Sequence, residues 1–312
     1  MAKSSKKIGV IGIPGKWSTE TLADAIEAKT GFRQVIDMAD VSLDLNQNRL
    51  LHHGLEKDGA KSNVQDLCQL DALVVKKISA VYSPNTLDRL ELLRLAEKAG
   101  VRVFSSAENM LRLINRLSCT VTLNNADIPM PDTRVTESIV VAKAVVEEFG
   151  SAIFKPLYST KARGMVVIDA SSGMVSVEQA IRNFQKNNPV MYIQRKLDLS
   201  GKDLGMVFLA NEYLGTYARV SDNNAWNTTI HSGGHYEAYA PNDELIELAR
   251  RAQAPFDMDY TTVDVAETSQ GPVVFEVSAF GGFRGAKEGM GMNVAERYIE
   301  HVLAELGMHS KR

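Results

Sequence analysis

The stretch Tyr260–Phe280, "YTTVDVAETSQGPVVFEVSAF", consists of two apolar runs separated by a short polar segment. Valine, phenylalanine, tyrosine and threonine favour strands, and the polar segment before Gly271 is typical of a turn. We therefore predict an antiparallel hairpin. Each of its strands carries one acid among apolar residues, Asp264 in the first and Glu276 in the second. An ionised carboxylate at such a position is costly unless it has a partner.

The spacing of the two acids suggests what that partner is. With the turn centred near Gln270, Asp264 and Glu276 lie directly opposite each other, on one face and about 5 Å apart at their Cβ atoms. Ser278 points to the same face. Two like charges this close require a shared proton or a cation, and an all-oxygen set suits Mg²⁺. An ion pair between one carboxylate and a nearby lysine or arginine explains the pattern as well, so both interpretations stay open.

Composition narrows the class of protein. The chain has 312 residues, 45% of them hydrophobic and 23% charged, which predicts a soluble globular protein of two or three modules. A net charge of −3 argues against nucleic-acid binding through bulk charge. The sequence contains no membrane-length apolar run and no secretory signal, so we predict a cytoplasmic location and no membrane partner. Cys68 and Cys119 lack the spacing of a metal site or a disulfide framework.

The order of elements predicts the fold class. The first hundred residues alternate strands and helices, as in a doubly wound α/β layer, and the last third is mostly antiparallel. We predict a helix over "STETLADAIEAKTG", capped by Ser18 or Thr19 and ended by Gly31, and another over "ESIVVAKAVVEEFG", with Thr136 as its cap. Prolines in "IPMPDT" mark a connector, and a module boundary is expected near residue 105.

Two further segments suggest ligand contacts. Lys155 ends the strand "AIFKP", and the basic loop after it contains Lys161, Arg163 and Gly164. A lysine beside a flexible basic loop suits a triphosphate, although a solvated basic turn has the same pattern. The N-terminal "GVIGIPGKWS" fails the phosphate-loop pattern because Val10 and Trp17 replace a required glycine and hydroxyl. We interpret it as a tight strand-to-helix turn, lining a substrate site at the sheet's carboxyl edge.

These motifs, taken in order from about Ser106 to the C-terminus, resemble the ATP-grasp superfamily and within it the RimK-type carboxylate–amine ligases. The resemblance implies an ATP-grasp fold behind an N-terminal doubly wound α/β domain, with α/β and α+β character. The implied modules are residues 1–105, residues 106–191 with a lid, and residues 192–312 with the metal site. It also implies ATP and Mg²⁺ as cofactors, carboxylate and amine substrates that are small molecules or peptides, and leaves room for a homo-oligomer.

The resemblance also implies roles for individual residues. Arg219 would stabilise charge on the transferring phosphoryl group, together with Lys155. Asp264, Glu276 and Ser278 fall on the metal-ligand positions, and Arg284 and Gly282 fall in the acceptor segment "SAFGGFRGAKEG". The implied nucleotide contacts are Arg116, Lys155, Lys161, Arg195, Lys196, Asp203, Asn227, Thr228 and Thr229.

Several positions depart from the family pattern. Asparagine is usual where Ser278 and Thr229 stand, arginine where Gly205 stands, arginine or lysine where Asn227 stands, and an acid where Arg195 stands. Lys161, Arg163 and Arg284 are candidates to replace the lost positive charge. The departures motivate two alternatives to a ligase, namely a small-molecule kinase on the same scaffold and a non-catalytic nucleotide-binding protein.

Overall fold

The computed structural model describes residues 5–54, 63–160, 162–199, 201–221 and 233–309. It begins with a parallel four-stranded sheet of order β2-β1-β6-β7. The strands are β1 (Ile8–Ile11), β2 (Val35–Ile36), β6 (Ala72–Val75) and β7 (Arg102–Phe104). Helices α1 (Trp17–Thr30) and α2 (Asn85–Lys98) pack on opposite faces of this sheet. Because both faces are covered, β1 and β6 are continuous apolar runs.

The first helix begins one residue earlier than predicted. Lys16 is the N-cap of α1 and its side chain makes no capping bond, so Ser18 and Thr19 lie inside the first turn. The Glu20 carboxylate instead accepts a hydrogen bond from the Gly15 amide at 2.6 Å. The prediction of Ser18 or Thr19 as cap was wrong because a later acid supplies the acceptor. Gly31, with φ of +78°, ends the helix as predicted.

A small antiparallel sheet, which the sequence patterns did not predict, is inserted between β2 and β6. Its strands are β3 (Val41–Asp44), β4 (Arg49–Gly54) and β5 (Asn63–Asp66). Leu50 of β4 is fully buried in the same core as α2. The insertion therefore covers one side of the first layer.

A second four-stranded sheet, of order β10-β9-β11-β8, has a core of its own. Helices α3 (Ala107–Ile114) and α4 (Arg116–Asn125) precede it in the chain. Its elements are β8 (Thr133–Thr136), α5 (Ile139–Phe149), β9 (Ser151–Lys155), β10 (Val166–Asp169), α6 (Met174–Gln185) and β11 (Met191–Arg195). The N-cap of α5 is Ser138, whose hydroxyl accepts from the Val141 amide. The prediction of Thr136 was wrong, because Thr136 belongs to β8 and bonds only the Ser138 amide.

The third sheet is antiparallel and has the order β14-β13-β12-β15-β16. Its strands are β12 (Lys202–Leu209), β13 (Glu212–Val220), β14 (His235–Tyr239), β15 (Tyr260–Thr268) and β16 (Gly271–Ser278). Three helices accompany it: α7 (Asp243–Gln253), α8 (Phe283–Met290) and α9 (Val294–His309). Leu245 and Leu248 of α7 share a core with Val263 and Val265 of β15, so α7 covers one face. Asp264, between those valines, points to the other face.

The predicted hairpin of β15 and β16 is confirmed, with one difference in its register. The two-residue turn at Ser269 and Gln270 pairs Thr268 with Gly271, so a regular ladder would place Asp264 opposite Phe275. An irregularity in the ladder after Val274 makes Phe275 an extra residue, and Asp264 pairs with Glu276. The bulge thus compensates for the difference between the predicted and actual turn centres.

Helix α8 lies on the face of the third sheet opposite α7, and glycines permit its approach. A Cβ atom on Gly285 would lie 2.4 Å from the ring of Tyr217. A Cβ atom on Gly205 would lie 2.3 Å from the same ring. The Tyr217 side chain therefore occupies the space that any larger residue at position 205 would need.

Within the described ranges, no helix combines the length and apolar character needed to span a membrane.

Candidate active site

Four charged residues form a row across the open face of the third sheet. The strand register pairs Asp203 with Arg219, places Asp264 beside Gly205, and pairs Asp264 with Glu276. Cross-strand neighbours share a face, so the row runs from β13 through β12 and β15 to β16. The sequence prediction that Asp264 and Glu276 lie together is confirmed by this register.

Arg219 is held between two acids. Its guanidinium donates to both carboxylate oxygens of Asp203, and its Nη2 lies 3.1 Å from Oδ1 of Asp264. Charge from the two carboxylates holds the pKa of Arg219 well above its usual value, against the opposing effect of burial. Arg219 is therefore a permanent, fixed positive charge in the row.

Among the acids of the row, Asp264 has the charge that is least well stabilised. Burial, with added repulsion from Asp203 and Glu276, raises its pKa to about 6, and Arg219 offsets only part of that effect. Its Oδ1 atom is buried and forms no regular hydrogen bond within the described part of the chain, although Arg219 lies 3.1 Å away as an ion-pair partner. A buried carboxylate oxygen of this kind is a position where a cation is stabilising.

Glu276 is paired with an arginine from another layer. Arg116, at the start of α4, donates from Nη1 to Oε2 of Glu276 at 3.1 Å and from Nε to the Pro156 carbonyl at 3.3 Å. The arginine is 8% exposed and the glutamate 38% exposed. The ion-pair interpretation therefore holds for Glu276, which is at the same time accessible from the open face.

The donor set fits a hard divalent cation. Asp264 offers a buried oxygen that forms an ion pair but no regular hydrogen bond, Glu276 lies opposite it, and Ser278 is two residues further along β16 on the same face. Carboxylate and hydroxyl oxygens are the ligands that Mg²⁺ prefers. No cluster of three or more His, Cys, Asp or Glu side chains with metal-binding geometry occurs among the described residues, so the set is built on two acids.

Lys155 lies at the end of β9, next to β16. Its ammonium is 5.5 Å from the Phe275 ring and donates to the Gln194 side chain of β11. Burial, helped by the charge of Arg116 and opposed by that of Glu276, lowers the pKa of Lys155 to about 7. A buried lysine with a single neutral acceptor gains strongly from an arriving anion.

Gln194 was not predicted as a site residue, although it orients Lys155. Its amide nitrogen donates to the Thr133 hydroxyl at 3.1 Å and to the Tyr192 hydroxyl at 3.3 Å. These bonds direct its oxygen toward Lys155. The sequence signal for Gln194 was weak. It is a polar residue in the otherwise apolar segment "VMYIQR", and it lies one residue before the end of the strand.

A narrow cavity opens to solvent beside Arg116 and Glu276. Tyr82, from the loop between β6 and α2, lines it together with Phe275 and Ser159. The Lys77 ammonium lies 4.3 Å from the centre of the Tyr82 ring, and the Phe280 ring packs edge-on against Tyr82 with 6.3 Å between the ring centres. The N-terminal layer therefore contributes directly to the cavity, which no motif in the sequence indicated.

The remaining predicted nucleotide contacts have other partners or are not described. Arg195 pairs with Asp132 at 2.9 Å and lies over the Phe149 ring, while the Lys196 amide donates to the Ser151 carbonyl. Asp203 is engaged by Arg219. The predicted contacts Lys161, Asn227, Thr228 and Thr229 lie outside the described residues.

The predicted acceptor segment is partly helical. Gly282 is the N-cap of α8, with open space where a side chain would be, and Arg284 lies in the first turn. The Arg284 guanidinium is 3.5 Å from Glu288 and 5.7 Å from the centre of the Trp17 ring. Arg284 thus lies between the third sheet and the N-terminal layer.

Comparison with known proteins identifies the family. The model of the RimK-like ATP-grasp domain matches residues 114–302, which is more than half of the chain. The chain belongs to the RimK-like ATP-grasp family. It is 24% identical over 323 residues to the tetrahydromethanopterin:alpha-L-glutamate ligase of Methanosarcina acetivorans, covering 95% of this chain and 98% of that protein.

Solved structures agree on the fold. The ATP-grasp ligase PsnB, complexed with a minimal precursor, Mg and ADP, superposes with a TM-score of 0.70 at 18% identity, covering 98% of this chain and 99% of PsnB. A RimK domain ATP-grasp protein from Sphaerobacter thermophilus gives 0.69 at 20% identity, with coverages of 95% and 99%. The predicted fold and the predicted class, an ATP-dependent carboxylate–amine ligase, are confirmed by these comparisons.

Proposed function

We propose that the chain joins a carboxylate to an amine through an acyl phosphate, using ATP held against the charged row of the third sheet. A substrate carboxylate oxygen attacks the γ-phosphorus and ADP leaves. The amine nitrogen then attacks the acyl carbon, loses a proton, and phosphate departs with the bonding electrons. The observation that carries the proposal is the row itself, in which the buried Asp264 carboxylate lies between the fixed charge of Arg219 and the carboxylate of Glu276.

Different residues of the site would stabilise different charges of the reaction. Asp264, Glu276 and Ser278 would hold Mg²⁺, which when bound neutralises phosphate charge. Lys155 binds the phosphate chain as a point charge, since burial leaves it with a strong preference for an anion. Arg219, fixed by Asp203, opposes the negative charge that develops during transfer, and its fixed geometry avoids reorganisation at that moment.

We propose that Arg116 can bind either Glu276 or a phosphate oxygen of the nucleotide. Its guanidinium bonds Glu276, and it lines the cavity next to Ser159. If Glu276 held a cation, the Arg116 guanidinium would be placed to bind a phosphate oxygen in the same cavity. We assign Arg116 this role.

The relatives suggest the nature of the amine. The Methanosarcina acetivorans relative is named as a ligase that uses alpha-L-glutamate. We propose an amino acid, tested first as L-glutamate, as the amine substrate of this chain. The modules at residues 1–105, 106–191 and 192–312, the cytoplasmic location and the homo-oligomer stay predictions.

The experiment is a screen for ADP release with Mg-ATP against panels of carboxylates and amines, followed by mass analysis of the product. We expect an amide product and ADP, with both lost in Glu276→Ala and Lys155→Ala. Glu147→Ala on α5 and Lys186→Ala just after α6, which remove the same charges from exposed positions, serve as matched controls. A phosphorylated metabolite that is stable without any amine would instead identify a kinase, and tight nucleotide binding without turnover a non-catalytic protein.

A further inference from the structure

A second cleft, of about 440 Å³, lies between the N-terminal layer and the last two helices. Trp17 and Thr21 of α1 form one wall, and Phe283 and Lys287 of α8 with Asn293 form the other. Trp17 follows the β1–α1 turn at the carboxyl edge of the parallel sheet, which is where open α/β sheets bind ligands. None of the described residues that line the cleft carries a carboxylate.

Two cations lie over the Trp17 ring. The Lys287 ammonium is 5.1 Å and the Arg284 guanidinium 5.7 Å from its centre. Glu288 offsets part of the Arg284 charge at 3.5 Å, whereas Lys287 has no carboxylate within ion-pair distance among the described residues. Lys287 lines the cleft itself, and contact with the same aromatic face keeps the Arg284 guanidinium beside it. The cleft therefore combines a flat apolar surface with uncompensated positive charge.

The cleft lies on the other side of α8 from the catalytic row. Gly285 of α8 contacts the Tyr217 ring, two residues from Arg219 on β13. The charge of Arg284 also acts on Tyr236, which is paired with Arg219 across the strands. Helix α8 has eight residues and is about 12 Å long. The row and the cleft are therefore separated by about the diameter of one helix, roughly 10–12 Å, which an extended substrate passing the end of α8 can span.

We propose that this cleft binds a second carboxylate of the acceptor substrate, remote from the carboxylate that is phosphorylated. Lys287 and Arg284 bind the carboxylate, and Trp17 packs against the carbon atoms next to it. A phosphate is normally held by several converging donors, and two cations, one of them already paired, suit the lower charge of a carboxylate better. The proposal rests on the proposed ligase function, because it makes the acceptor a polycarboxylate.

The test uses Trp17 as a reporter in the full chain. The chain has two tryptophans, so Trp226→Phe leaves Trp17 as the sole one. This protein is titrated with tricarballylate at constant ionic strength, and separately with inorganic phosphate. We expect a saturable change of tryptophan emission with tricarballylate and at least fivefold weaker binding in Lys287→Gln. Lys98→Gln, which removes an exposed charge from α2, should leave the titration unchanged.

Two results overturn the proposal. One is a linear, non-saturating response to tricarballylate, and the other is saturation by phosphate with equal or greater affinity. Calorimetric binding of Mg-ADP to the same protein separates the failure of this inference from that of the function. Nucleotide binding without carboxylate binding removes the cleft proposal alone, whereas loss of nucleotide binding from a folded chain contradicts the proposed function.

Discussion

Gly205 shows how one residue shapes the catalytic face. It lies beside Asp264 in the strand register, and the resemblance predicted an arginine there. The ring of Tyr217 fills the space above it, since a Cβ atom at position 205 would lie 2.3 Å from that ring. A larger residue at position 205 and a tyrosine at position 217 therefore exclude each other. The sequence shows that the expected arginine is absent from position 205. It does not show that the ring of Tyr217 fills the space that an arginine side chain would need.

We expect Gly205→Ala to lower the free energy of unfolding by about 1–3 kcal/mol, the usual cost of overpacking a filled core. Urea denaturation measures the change. In a Tyr217→Ala background the same substitution should cost much less, because the ring that it strikes is gone. Gly282→Ala is the control, since its Cβ would meet nothing within 4 Å and its φ of −74° suits alanine. If Gly205→Ala lowers the free energy of unfolding by the same amount in the parent and in the Tyr217→Ala background, the steric explanation is wrong.

Helix α8 depends on the same ring at the scale of an element. Gly285 lies inside the helix, where alanine is normally more favourable by about 0.5–1 kcal/mol. Its Cβ would nevertheless lie 2.4 Å from Tyr217, and the clash should outweigh the propensity. We therefore expect Gly285→Ala to lower the midpoint of urea unfolding.

Gly307 in α9 supplies the matched control for Gly285. It is exposed and helical, and a Cβ there would meet nothing within 4 Å. We expect Gly307→Ala to stabilise the chain by about 0.5–1 kcal/mol. If Gly285→Ala stabilises the protein as Gly307→Ala does, then α8 is free to move away from the sheet. The close contact between Gly285 and Tyr217 would then not be what fixes the position of the helix.

The elements that the sequence predicted share a strong local signal. Alternating apolar residues and a polar turn define the β15–β16 hairpin, and Gly31 ends α1 as expected. Helix α8 was not predicted because its two cap residues and two of its internal residues are glycines, which favour loops when tertiary contacts are unknown. The bulge at Phe275 also has no local signature, because it depends on how β16 packs against its neighbours.

The whole molecule is held together by contacts between distant parts of the chain. The cores that include the first sheet also include residues of the third, whereas the second sheet packs around a separate core. Lys76, at the end of β6, donates to the Gly281 carbonyl at 2.8 Å and lies 4.4 Å from the Phe283 ring. It thereby links the N-terminal sheet to the segment that follows β16. Such contacts depend on tertiary structure, and no sequence motif indicated this one.

Lys76 should make the stability of this junction depend on pH. Burial, with repulsion from Lys77, lowers its pKa in the folded chain from 10.5 to about 7. Between these values the unfolded chain binds more protons than the folded chain, so this lysine makes stability rise with pH, by up to about 1.4 kcal/mol per pH unit. Methionine at this position removes the titration. We therefore expect the free energy of unfolding of the parent, relative to Lys76→Met, to increase from pH 7 to pH 9 in urea denaturation.

The control for this prediction is Lys98→Met, which replaces an exposed lysine of α2 and should differ from the parent by the same amount at each pH. A neutral amine still donates to the Gly281 carbonyl, so the link persists at high pH while the cost of burying a charge disappears. A difference between the parent and Lys76→Met that stays constant from pH 7 to pH 9 would show that Lys76 keeps its charge in the folded chain. The junction would then have to supply an anion or water to that ammonium, in addition to the carbonyl that it bonds.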